Sequence, residues 1–546
     1  RNKVWFAIVL IDPFLLFTGV VLKSDIYLEI SKNIEIFNKV YKEVTFNYVD
    51  EVNPGEFLRA GIRGMLGTLD PYTVFIDEKK QDDIDYLTTG KYGGIGVSIG
   101  FRDGNAVIID ILSGYSAERQ GMRIGDAILS VNGVAIDEEK YQEISTYIKG
   151  EPGTTVTLRS RRIGVADTLT FVLVREEVSV KNVLYSGFVD EKEGVGYIKL
   201  VSFSKGAADE VETALKDLQE TGKLRSLILD LRDNPGGLLE AAVAICEKFL
   251  AKGSLVVSTR GRDNGSLREY YSKQEPMAGD VPLVVLIDGG SASASEIVAG
   301  AIQDHDRGVL IGEQSFGKGL VQTVLPIAYN TSLKITTSRY YTPSGRSIQK
   351  VDYFKGNKSL KSKDSVFTSS FQTDNKRTVY SGGGVAPDSL VTPTVLPDPV
   401  SDMLAKGLFF DFSSLYFNEN PDVKIASIDD QQLLKQFEKF LKTKSYEYKS
   451  TVAKQVDSLY NAVKAKKEYA ALLGKIAEVK GELNSEKINY TATYKTEILS
   501  IIKTELSSRK GGNSMRIVGS FAIDPQVTAA VLLLKSPERY NSLLKR

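Results

Sequence analysis

Histidine and cysteine are almost missing from these 546 residues, which hold one of each, His305 and Cys246. A lone cysteine excludes an internal disulfide and a thiolate metal cluster. A lone histidine excludes a histidine-rich zinc site, and any Ser-His-Asp triad would have to be built on His305 itself. That residue lies between Asp304 and Asp306 beside an expected helix end, which reads as an exposed position. Charge of one sign is missing too: Lys+Arg and Asp+Glu both number 69, so nothing points to a nucleic-acid partner. No metal or other cofactor is expected.

What is present is apolar bulk. At 42% hydrophobic the chain can bury a large core and make three or more domains. Arg1-Asn-Lys3 precedes a nearly continuous apolar run from Val4 to Leu22, followed by Lys23 and Asp25. This reads as a signal sequence or membrane anchor over 1–24, hence an address in the cell envelope, periplasmic or extracytoplasmic. Asp12-Pro13 interrupts the run, and a buried, kinked helix is the alternative. Next, Leu58, Ile62, Met65, Leu66 and Leu69 recur at helical spacing until Asp70-Pro71 ends the pattern, giving a helical segment over 25–88.

Short β-rich runs broken by glycine turns and one short helix then suggest a small, partly open barrel over 89–175. It opens on Tyr92-Gly-Gly-Ile-Gly-Val97 and contains Gly125-Asp126 and Val131-Asn-Gly133. From about residue 183 strands alternate with helices, an α/β pattern whose site belongs at the C-terminal strand ends. One strand, Ser226–Leu231, runs into Asp233-Asn-Pro-Gly-Gly237. Another, Pro282–Ile287, runs into Gly289-Gly-Ser-Ala-Ser-Ala-Ser-Glu296 and a helix.

A serine at that helix N-terminus meets unpaired N–H groups and the positive end of the helix dipole, which favours an oxyanion. Ser291, Ser293 and Ser295 all qualify as nucleophile on position. Downstream, Ser315-Phe-Gly-Lys-Gly319 places a lysine in a glycine turn. Burial can lower a lysine's pKa enough for it to take a serine's proton. Gly312 to Lys318 also matches the start of a phosphate-binding P-loop, but Gly319 stands where that motif needs Ser or Thr.

Residues 92–97 with 125–126 and 131–133 resemble a PDZ domain. Asp230-Leu-Arg-Asp-Asn-Pro-Gly-Gly-Leu238, Gly290-Ser-Ala-Ser-Ala-Ser-Glu-Ile297, Gly312-Glu-Gln-Ser-Phe-Gly-Lys-Gly319 and Tyr341-Thr-Pro-Ser-Gly-Arg-Ser-Ile-Gln349 resemble the carboxyl-terminal processing (tail-specific) proteases. The resemblance covers roughly 40–395. It implies an α+β multidomain protein: helical N-terminal segment, PDZ partly open β-barrel, crotonase-like α/β protease core over 176–395, and helical C-terminal domain over 396–546.

By motif, the resemblance implies Ser293 as nucleophile, Lys318 as base, Gln322 orienting the base, and Asp304 as a further important carboxylate. The N–H groups of Gly237 and Ala294 would form the oxyanion hole. Tyr92, Gly93, Gly94, Ile95, Gly96 and Val97 would hold a peptide's terminal carboxylate. The implied partners are proteins or peptides with free, apolar C-termini, with room for a regulatory partner or self-association. The rival reading is a PDZ scaffold that binds tails without cutting them. Acyl-CoA chemistry, suggested by the crotonase-like fold alone, is weaker.

Beyond the core, 353–377 is Lys/Ser-rich and reads as a mobile surface insertion, and Pro393–Pro399 as a linker. From about 400 the chain turns helical and charged, with Leu433, Leu434, Phe437, Phe440 and Leu441 on one face. Asp524-Pro525 begins a last helix over Val527–Leu534. This region is expected to pack, dimerise or enclose substrate rather than to catalyse.

Overall fold

A computed structural model describes residues 14–78, 90–351, 353, 369–464, 466–485 and 489–545. Most of the expected N-terminal address (1–13) and of the Lys/Ser-rich stretch (354–368) therefore falls outside the described residues. The chain divides into two compact units, the first holding the segment up to 78 with 322–336 and Tyr353, the second the rest.

The first unit carries the helices Phe14–Asn47 and Pro54–Leu66. Asn53 starts the second of these by accepting the Glu56 N–H at 3.1 Å, with proline in the first turn where its missing donor is harmless. The helical pattern then stops at Asp70, whose carboxylate accepts the Tyr72 and Thr73 N–H groups at 2.8 and 2.9 Å. That turn sends the chain into a short strand, Val74–Ile76, paired antiparallel with 332–334, where the sequence suggested only helix. Among the described residues no single helix is long and apolar enough to cross a membrane.

The second unit begins with the small barrel. Its antiparallel strands run in the order Val97–Arg102, Asn105–Ile111, Ala127–Val131, Thr155–Arg161, Leu169–Val174. Alternate residues such as Ile108, Ile128, Leu158 and Leu173 point inward and are fully buried with Ile95. Val97–Arg102 is the end strand of this sheet, so one edge is unpaired among the described strands.

The core sheet has six strands whose spatial order is their chain order: Val183–Asp190, Val195–Leu200, Ser226–Asp230, Leu283–Ile287, Val309–Gly312 and Ser389–Leu390. All pairs are parallel except the first. Helices Ala207–Glu220, Leu239–Cys246 and Ala294–Asp304 cover one face. The other face is covered from far away in sequence: Val527, Ala530, Leu533 and Tyr540, on the helices Pro525–Leu534 and Pro537–Lys545, pack on Tyr197, Ile228, Val284 and Leu286. The final helices thus complete the α/β sandwich, a role the sequence reading did not give them.

The remaining C-terminal helices bury an aromatic core, with Phe409 stacked on Phe437 at 5.2 Å and Leu433, Phe440 and Leu441 on the expected face. They also hold the barrel. Phe410 packs on Val107, Ile124 and Ala127 of the barrel, between the guanidinium groups of Arg102 and Arg509 at 4.3 and 4.2 Å. The long helix Lys495–Ser520 breaks at Gly511-Gly512, and there Asn513 donates to Asp110 of the barrel at 2.7 Å while Ser514 donates to Leu184 of the core sheet at 2.7 Å. Phe410→Ala is expected to cost about 3–5 kcal/mol by urea denaturation. It should also expose the barrel-to-core connection to limited proteolysis, whereas an unchanged midpoint would show that the barrel is held elsewhere.

Candidate active site

The first strand end is fixed by buried charge. Asp230 is fully buried and accepts from Tyr197 Oη at 2.5 Å, Lys199 Nζ at 3.0 Å and Arg232 Nη2 at 2.6 Å. Burial alone would raise its pKa, but Lys199 and Arg232 outweigh that and hold the carboxyl well below the usual range. Arg232 reaches on to Asp524 at 2.8 Å, tying the turn to the C-terminal helices.

Asn234, also fully buried, then joins the two turns. Its side chain donates to Leu200 C=O and accepts the Gly236 N–H, and its carbonyl accepts from Ala292 N–H at 3.0 Å and Ser295 Oγ at 2.9 Å. A Cβ on Gly236 would lie 2.6 Å from Ala292 O and 2.9 Å from Ser293 Cβ, and one on Gly237 would lie 2.4 Å from Phe203 O. Only glycine lets this turn lie against the serine turn.

The serine turn sorts its three serines. Ser291 is fully buried and donates to Leu231 C=O at 2.9 Å, and Ser295 is fully buried on Asn234. Ser293 is half-buried and stands just before the helix Ala294–Asp304 with φ 56° and ψ −112°, a conformation that L residues rarely adopt. Such strain, about 1–3 kcal/mol, persists only where surrounding contacts impose it. The N–H groups of Gly237 and Ala294 donate to no protein acceptor among the described residues.

The lysine turn is bound to the serine turn through Glu296. This fully buried carboxylate accepts Ser293 N–H at 2.8 Å and Lys318 N–H at 2.9 Å on Oε2, and Ser315 Oγ at 2.6 Å and Gly317 N–H at 2.7 Å on Oε1. Burial holds its carboxyl above the ordinary range, although the donors from Ser315, Lys318, Ser293 and Gly317 pull the other way. The other N–H groups of the turn are taken by Val385 C=O, Ser291 C=O and Gln349 Oε1. With these donors engaged, the P-loop-like spacing forms no phosphate cradle. Lys318 itself is half-buried.

Of the other expected site residues, Gln322 falls in the first unit and donates to Thr336 Oγ1 at 3.2 Å. Asp304 ends the helix that Ser293 begins, about 16 Å away along its axis. There it is buried against Arg346 at 2.8 Å, so its contacts hold the helix end.

His305 is not the exposed residue expected, because its ring nitrogens engage Asp374 Oδ2 at 2.8 Å and Leu255 C=O at 2.7 Å. Arg377, at the end of the supposed mobile insertion, is buried and bridges Asp306 and Asp388. In the barrel, Tyr92, Gly93 and Gly94 are strand residues paired with Val178, Glu177 and Glu176, which leaves Ile95 and Gly96 as the turn before Val97. Glu296 and Tyr340, whose hydroxyl meets the Ser293 and Lys318 carbonyls, were given no role by the sequence reading.

Known proteins place this arrangement. The profile of peptidase family S41 matches residues 194–353, a PDZ-domain profile matches 107–162, and a profile described as the C-terminal helical domain of a probable PDZ-protease matches 400–534. The carboxy-terminal-processing protease of Bartonella bacilliformis is 38% identical over 321 residues, covering 58% of this chain and 73% of the relative. The chain belongs to this family of S41 peptidases. CtpB, the carboxy-terminal processing protease of Bacillus subtilis, is 32% identical over 323 residues, covering 59% of this chain and 67% of its own. The solved photosystem II D1 C-terminal processing protease is 27% identical, covering 66% of this chain and 93% of its own with a TM-score of 0.37. This S41 peptidase therefore carries a PDZ domain, a protease core and a helical C-terminal domain.

Proposed function

We propose that this peptidase is a serine endopeptidase that takes hold of the free C-terminal tail of a protein through its PDZ domain and cuts with Ser293 and Lys318. The observation that carries the reading is the strained, half-buried Ser293, set at a helix N-terminus and joined by one carboxylate to the backbone of Lys318. Ser293 Oγ attacks the scissile carbonyl carbon while neutral Lys318 Nζ takes its proton. The oxyanion lies against the N–H groups of Gly237 and Ala294. The C–N bond then breaks, Lys318 gives its proton to the leaving amine, and water hydrolyses the ester by the same route. The substrate tail adds a strand at the edge Val97–Arg102, its carboxylate at the turn Ile95–Gly96.

The test compares one unstructured substrate ending in a free acid with the same chain amidated. Amidation should raise KM by about tenfold or more, the loss of charge-assisted hydrogen bonds, with kcat little changed. Equal KM values would remove tail recognition from the reading. Cleavage that survives Ser293→Ala would remove the nucleophile.

A further inference from the structure

Tyr340, next to last in the strand Ser332–Tyr341, lies inside the protease core with only 1% of its surface exposed. Its main-chain N–H donates to Gly319 C=O at 3.1 Å, which fixes the residue beside the lysine turn. Its hydroxyl donates to the carbonyl of Lys318 and lies 3.1 Å from that of Ser293. These two carbonyls belong to the two residues whose N–H groups Glu296 collects on a single oxygen. The peptide units on either side of nucleophile and base are thus gripped twice, through their donors by a carboxylate and through their acceptors by a phenol.

We infer that Tyr340 is a positioning residue of this peptidase: its one hydroxyl, shared between the carbonyls of Ser293 and Lys318, sets the spacing of the two residues that do the chemistry. This rests on the serine-lysine reading above. A hydroxyl that only filled the core would need one acceptor. Here two acceptors from segments 25 positions apart in sequence converge on it, and they are the acceptors of the reacting pair. Phenylalanine at 340 would keep the packing and take the hydroxyl from both carbonyls, leaving that of Ser293 to the Glu296 and Ile297 N–H groups alone. The serine turn, already held at positive φ, and the lysine turn could then drift apart, and a displacement of about 1 Å can cost up to about 10²-fold in rate.

The experiment measures kcat, KM and the pH dependence of kcat/KM for wild type and Tyr340→Phe, with competent sites counted by labelling with a fluorophosphonate. Per labelled site, kcat should fall about tenfold or more with KM within about twofold. The acid limb of the pH profile should move to higher pH as Lys318 becomes better solvated. A core defect would lower the number of labelled sites and leave the limb in place. Wild-type kcat and pH limb per labelled site would overturn the inference.

Where Tyr340→Phe yields no folded protein, 3-fluorotyrosine at 340 keeps both shape and donor. It should retain wild-type kcat within about twofold, and a tenfold loss there would equally overturn the inference. Ser293→Ala is run alongside. Cleavage by that variant sinks the serine-lysine reading itself, a result distinct from a silent Tyr340→Phe in an enzyme that Ser293→Ala inactivates.

Discussion

Ser293→Ala is expected to lower cleavage of an unstructured protein by about 10⁴-fold or more, with tail binding and the folded state unchanged. Neither neighbouring serine can take over, because Ser291 and Ser295 are fully buried and donate to the Leu231 and Asn234 carbonyls. A second substitution separates chemistry from strain. Ser293 sits at φ 56°, and alanine keeps the Cβ that makes this conformation costly, whereas glycine has none. Relief of about 1–3 kcal/mol of strain, less about 0.5–1 kcal/mol for glycine's greater freedom when unfolded, should leave Ser293→Gly more stable than Ser293→Ala by about 1 kcal/mol.

Both variants should be inactive. Gel assays of cleavage and urea titrations of the three proteins test this together. Wild-type cleavage by Ser293→Ala would mean that another group attacks the carbonyl. Equal stability of the alanine and glycine variants would mean that the turn stores no strain at 293.

The parts of this site that were legible lie within a few residues of one another. Gly290 to Ile297 and Gly312 to Gly319 are contiguous motifs, and the strand-then-glycine pattern before Gly237 points to a strand end without any tertiary knowledge. Illegible were the contacts that hold those segments together. Glu296 reads as an ordinary acidic residue in a first helical turn, and its donors Ser315, Gly317 and Lys318 arrive 19–22 positions later. A signal was nevertheless present. A lone carboxylate inside Ala294 to Ile302, a helix apolar on every side, has no solvent face to occupy and so must have donors.

The second layer of the core was half legible in the same way. Ser226–Asp230 and Leu283–Ile287 are buried at every position, which requires cover on both faces. The helices between the strands can supply only one. Composition gave no clue that the cover for the other came from 525–545, and it misled outright at Arg377, where a polar stretch ends in a buried ion-pair centre.

The carboxylate that joins the two turns makes the second large effect predictable. Glutamine at 296 keeps the length of the side chain but offers one oxygen and one NH₂ group to four donors. Its better orientation leaves the oxygen on Ser293 and Lys318 N–H, and the Ser315 hydroxyl can turn to accept from the amide. Gly317 N–H then faces an N–H with nothing to receive it, one residue from Lys318. A buried group so stranded costs about 1–3 kcal/mol, and the lysine turn should move to escape it. Glu296→Gln should therefore lower kcat/KM by about 10²-fold without altering the side chain of Ser293 or Lys318.

The stability difference carries its own pH signature. In the wild type the folded-state pKa of Glu296 is raised above its unfolded value, chiefly by burial. This group's contribution to stability is thus fully present below the unfolded pKa and is lost as pH rises through the folded one. Glutamine does not titrate, so the gap between wild type and variant in urea should be widest in acid and narrow as pH rises. A gap that widens towards neutral pH would mean that the four donors outweigh burial and the carboxylate is held as an anion. Activity within a few-fold of wild type would mean that the two turns are kept in register without it.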